Sequence, residues 1–155
     1  MRGVSFSGPH PFAAPGRRGS KTTELRCLLF TAILTGCLWI PVVIGYVSAR
    51  GPLRPEDYRT APTGKLPDWV NRAGRAHLNA VESFAPFAAV VLIAHVLGVS
   101  TPLTAAAAAV FFAARVAHAV LHISGFSRLM ARTVVFTVGW GAFMTIGVEL
   151  LRRGL

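Results

Sequence analysis

Four long apolar runs, with nearly all of the charge confined to the stretches between them, constrain this chain more than any other feature. They cover Cys27 to Ala49, a segment that starts at Trp69 and ends near Leu97, Leu103 to Leu121, and Arg132 to Leu151. A helix rises about 1.5 Å per residue, so about twenty apolar residues span a hydrocarbon core of about 30 Å, longer runs doing so with tilt. Only 14% of residues are charged, where a soluble domain carries about 25%. The 155 residues leave no room for a second domain beside four spans. The predicted fold is therefore all-α, an integral membrane four-helix bundle.

The net charge of +10 does not point to nucleic acid. Fifteen of the sixteen Lys and Arg residues lie outside the spans or at their edges, where basic groups anchor helices to lipid headgroups. No soluble basic domain remains to grip a duplex. Cys27 and Cys37 both fall in the first run, and their spacing fits neither a metal site nor a disulfide framework. They read as reduced packing residues.

Residues Met1 to Thr23 are rich in Gly, Pro, Ser and basic side chains and show no apolar period. They are expected to be a disordered basic tail, leaving 24–155 as the membrane domain. The first run is too long for a signal peptide and reads as a retained helix. Pro41 cannot donate to the carbonyl of Cys37, which predicts a kink. A proline-rich loop from Arg50 to Pro67 leads to Asp68, a candidate N-cap, with Trp69 at the interface. Five consecutive alanines in the third run, and Gly139, Gly141 and Gly147 in the fourth, suit close helix approach. Basic residues do not settle orientation: seven lie on the side of the termini and eight on the other.

The second run opens with Arg72, Arg75, His77, Asn79 and Glu82. At about 100° per residue, Arg72, Arg75, Asn79 and Glu82 fall within an arc of about 80°. So narrow a polar stripe entering a membrane helix belongs in a bundle interior or cavity. Pro86 leaves the carbonyl of Glu82 without its helical donor. Arg115, His118 and His122 share one face of the third run. A mid-span arginine costs about 2.5–3.5 kcal/mol to insert, and Glu82 is its expected carboxylate partner. His118 and His122 have no evident third ligand, so no metal is expected. His95 reads as a satisfied core histidine. Arg128 and Arg132, with Arg72 and Arg75, gather guanidinium groups on one membrane face. Such a cluster binds carboxylates and stabilises a thiolate. It suits a small thiol with carboxylates, and it equally suits an anionic lipid headgroup.

These residues resemble the MAPEG family, the membrane-associated proteins in eicosanoid and glutathione metabolism, in the manner of a bacterial member. The resemblance covers roughly Arg50 to Leu151. It rests on Arg75-Ala-His-Leu-Asn79-Ala-Val-Glu82 followed by Pro86-Phe87, and on Ala114-Arg115-Val-Ala-His118 followed by Arg132. It implies a homotrimer that binds glutathione between subunits, near the face of the first and third loops, the cytoplasmic side. Arg75, Asn79, Glu82, His118 and His122 would hold glutathione, with Arg50 contributed by the neighbouring subunit. Arg132 would stabilise the thiolate and act in catalysis. Arg72, Arg115 and Arg128 would support the site, and Arg128 is the alternative to Arg132 where loop lengths differ. His122 and Phe136 stand where family enzymes carry Tyr.

The resemblance thus implies a transferase or peroxidase that turns an activated thiol on a lipophilic small molecule. The alternative is a noncatalytic scaffold or anionic lipid-binding protein of the same fold. A transporter ranks last, because the sequence shows no inverted repeat or paired broken helices.

Overall fold

The computed structural model describes residues 22–52, 54–59, 64–126 and 130–153. The expected disordered tail lies outside these residues, apart from Thr22 and Thr23. Those two begin the first helix: Thr22 is its N-cap, and its hydroxyl accepts from the Leu25 N–H at 3.4 Å. Arg128 also lies outside the described residues.

Four helical stretches are long and apolar enough to cross a membrane, and no strand is present among the described residues. The first is interrupted. Helix α1 (Thr23–Cys37) stops at Leu38, and α2 (Trp39–Arg50) continues from it. The break sits three residues before Pro41, beside the carbonyl of Cys37 that the proline leaves without a donor. Helix α2 ends at Gly51, whose φ of 81° few other residues tolerate. A short 3-10 turn (Pro55–Tyr58) follows, and then α3 (Asp68–Val96). Asp68 is not the N-cap. Pro67 holds that position, and Asp68 stands in the first turn, where its charge complements the helix dipole.

Helix α4 (Pro102–Ser124) begins with reciprocal bonds between Thr101 and Thr104: the Thr104 N–H donates to Thr101 Oγ1 at 3.1 Å, and the Thr101 N–H to Thr104 Oγ1 at 2.9 Å. It ends at Gly125 in the left-handed conformation, φ 77°. Helix α5 (Ala131–Arg152) closes the bundle.

The core is built from one stripe of each long helix. Phe87, Val91 and Ala94 of α3 meet Ala107, Ala108 and Phe111 of α4 and Ala142, Ile146 and Leu150 of α5, with Cys27 of α1 at the edge. Small residues on α4 let the helices approach, and the Phe87 and Phe111 rings stack with centroids 3.8 Å apart. The opposite faces, including Leu29, Ile44, Leu92, Val120 and Val148, are apolar and exposed, as lipid contact requires.

Glu24 ties the bundle at one end. It is only 2% exposed. Its carboxylate accepts from Thr104 Oγ1 at 2.5 Å and from Ser100 Oγ at 3.1 and 3.2 Å. These bonds join the start of α1 to the cap of α4. Glu24→Ala is expected to destabilise the protein by about 1–3 kcal/mol, because it strands buried hydroxyls. Glu24→Gln keeps an acceptor and is expected to lose less. Thermal unfolding in detergent measures both. His95, near the same end, is exposed and not a core residue, which corrects the sequence reading. His95 and Glu24 both line a cavity near the end of α3.

Candidate functional site

The other end of the bundle gathers the end of α2, the starts of α3 and α5, and the end of α4. Below it, α3, α4 and α5 enclose a cavity of about 200 Å³. Asn79, Glu82 and Pro86 of α3, Arg115 of α4, and Phe136 and Trp140 of α5 line it.

Arg115 is 4% exposed and stands at the centre. Its partner is not Glu82. Nη1 donates to Asn79 Oδ1 at 3.3 Å and Nη2 to the Phe136 carbonyl at 3.3 Å. The guanidinium carbon lies 5.3 Å from the Phe111 ring centroid and 5.2 Å from that of Phe136. Two ring faces and two neutral oxygens thus replace a carboxylate. Gly139 makes room for this arrangement. A Cβ there would lie 3.1 Å from Cζ and 3.2 Å from Nε, and would collide with Nη2. Sequence reasoning gave Gly139 only a close-packing role, not the slot for Arg115, and it missed Phe111, although Phe111 lies one turn before Arg115.

Glu82 lies one turn beyond Asn79 on the same face. It is exposed, and among the described residues its carboxylate has no hydrogen-bond or ion-pair partner. Ser83 has already given its proton to the backbone, donating to the Asn79 carbonyl at 2.7 Å. The predicted stripe is therefore split. Asn79 and Glu82 face the α3–α5 cavity, whereas Arg75 is exposed and lines a separate cleft against α2, beside Val42 and Tyr46. Arg72 turns to α4: its Nε donates to the Ile123 carbonyl at 3.3 Å, and its guanidinium packs on Gly125.

His118 is buried, its ring 5.0 Å from that of His122 and 6.0 Å from that of Phe136. Nδ1 of His122 is buried without a hydrogen-bond partner among the described residues. Arg132, half-buried, is the second residue of α5, and its charge reaches both His118 and His122, while that of Arg75 reaches His122. Arg50 lies apart from the cavity, at the end of α2. Its guanidinium sits 5.5 Å from the Tyr46 ring centroid and donates to the Gly64 carbonyl.

The arrangement offers a carboxylate and an amide beside a cationic, histidine-bearing end, with aromatic walls reaching the lipid-facing surface. No curated protein matches the sequence. The model of the MAPEG family matches residues 27–152, most of the chain. A four-span bundle with this polar face and this match belongs to the MAPEG family, as a multi-pass integral membrane protein.

Proposed function

We propose that the protein is a glutathione-dependent membrane enzyme, a transferase or peroxidase that turns an activated thiol on a lipophilic electrophile. Glu82 carries this reading. A carboxylate on a spanning helix, exposed and without a described partner, is costly unless something else meets it. An amine or amide N–H of glutathione supplies what it lacks. Asn79 beside it supplies the second contact, and Arg75 binds a ligand carboxylate. His118 and His122 line the ligand from α4.

Arg132 stabilises the thiolate. It stands in the first turn of α5, so the positive end of the helix dipole adds to its own charge. In a transfer reaction the thiol proton leaves to solvent. The thiolate then forms a C–S bond to the electrophile as the leaving group departs or a strained ring opens. In a peroxidase reaction the thiolate attacks the peroxide, the O–O bond breaks to give a sulfenic acid and, after protonation, an alcohol, and a second thiol condenses with the sulfenic acid to give disulfide and water. The apolar surface beside the cavity holds the lipophilic partner. Arg50 reaches a neighbouring subunit's ligand in a homotrimer, and the arginine-bearing end faces the cytoplasm. Arg72 and Arg115 hold the helices that carry the site, and Arg128, which lies outside the described residues, is the alternative to Arg132.

Purified protein in detergent, titrated with glutathione, is expected to give a saturable ultraviolet thiolate signal. Absence of that signal at saturating, millimolar-range thiol overturns the reading. The replacement of Tyr by His122 and Phe136 favours a second reading, a noncatalytic scaffold or anionic lipid binder. That reading predicts no thiolate and no stabilisation by glutathione.

A further inference from the structure

A second cavity, of about 670 Å³, lies at the end of the bundle away from the arginine cluster, where α1 and α4 begin and α3 ends. Glu24 of α1 and Ser100, in the turn before α4, bring polar groups to its wall. The Glu24 carboxylate is buried, and Thr104 and Ser100 donate to it. Both donors are neutral hydroxyls. They orient the carboxylate without cancelling its charge, and no Lys, Arg or His among the described residues pairs with it. The start of α4 offsets part of that charge. A buried carboxylate still calls for a counter-charge.

The end of α3 adds acceptors to the same wall. The Ile93, Ala94 and His95 carbonyls accept from the N–H groups of Leu97, Val99 and Gly98. The next two carbonyls, of Val96 and Leu97, accept from no described residue, and both residues line the cavity. A helix C-terminus carries roughly half an elementary negative charge, which favours a cation. The space is far larger than a bare ion fills, and the described residues hold no group of three His, Cys, Asp or Glu side chains that would ligate a metal. A quaternary ammonium has no N–H to give and is held by aromatic faces. No Phe, Tyr or Trp lines this cavity.

We propose that this cavity is a binding site for a primary ammonium group, held by the Glu24 carboxylate and by the carbonyls that end α3. Three spans begin or end around it, which sets it at the level of lipid headgroups. The ammonium therefore belongs to the ethanolamine headgroup of a lipid or to a small soluble amine. The site stands apart from the arginine-bearing end and does not rest on the glutathione reading.

The test follows the thermal midpoint of the detergent-purified protein. Micelles containing phosphatidylethanolamine are expected to raise it saturably, by about 2–4 °C or more, over micelles containing phosphatidylcholine. Free ethanolamine and free choline form the second arm. A preference seen with the lipids alone identifies a headgroup, and one seen with the free compounds identifies a soluble amine as sufficient. No preference for the ethanolamine form in either arm overturns the proposal. Glu24→Gln removes the charge and is expected to abolish the preference, and a preference that survives in this variant overturns the proposal. If E24Q fails to fold, Val96→Lys replaces it. Val96 lines the cavity and is 83% exposed, so a lysine is tolerated there and brings an ammonium of its own. Loss of the preference in the folded variant supports the proposal, and an unchanged preference overturns it.

Discussion

Arg132→Ala is expected to abolish the thiolate signal and to lower glutathione-dependent turnover by about 100-fold or more. The thermal midpoint is expected to move little, because the side chain makes no hydrogen bond to another described residue and is only half-buried. The physical basis is the position of Arg132. It occupies the first turn of α5, where unpaired backbone N–H groups already favour an anion. A guanidinium there stabilises the thiolate over the thiol and so lowers the pH at which the bound ligand ionises. The thiolate is the base form, so activity rises as pH climbs through the ligand's ionisation. Removing the positive charge moves that rise to higher pH. A pH–rate profile of wild type and variant checks the sign. A profile that stays in place would assign thiol activation to another group, with Arg128 the first candidate.

Gly139→Val is expected to have the largest effect on stability. Its side chain would enter the slot of the Arg115 guanidinium, where even a Cβ collides with Nη2. Overpacking costs about 1–3 kcal/mol. Displacing a buried charge from its oxygens and rings adds to that, because an uncompensated buried charge is itself costly. The sum is expected to be about 3 kcal/mol or more in thermal or denaturant unfolding. The companion variant Arg115→Met removes the charge and leaves a flexible side chain. The double variant is expected to recover much of the loss. Strict additivity of the two substitutions would mean that they do not share the slot.

The four spans were legible because length and hydropathy alone decide what crosses a bilayer. The interior of the bundle was less legible. In lipid, the core-facing and outward-facing sides of a helix are both apolar, so periodicity cannot separate them: Val91 is fully buried and its neighbour Leu92 is 49% exposed. The polar stripe of α3 was visible as a stripe, since angles follow from spacing. Its division between two clefts was not, because helix rotation and the course of α2 decide it. The Arg115 partner was missed for a similar reason. Charge reasoning favours a carboxylate, whereas depth along the helix brings Asn79 within reach. His95 failed as a core residue because an apolar neighbourhood in sequence says nothing about which side faces in.

The interruption at Leu38 divides the first span into two parts with different neighbours. Helix α1 packs on α3 and α4, and α2 packs on α3 without touching α4 or α5. One half is a pillar and the other an arm. Val43, Ile44 and Val47 on the arm face outward, so substitutions there are felt first by whatever stands beside the molecule and last by its own interior. Such a chain can change its neighbours over evolutionary time without renegotiating how it folds.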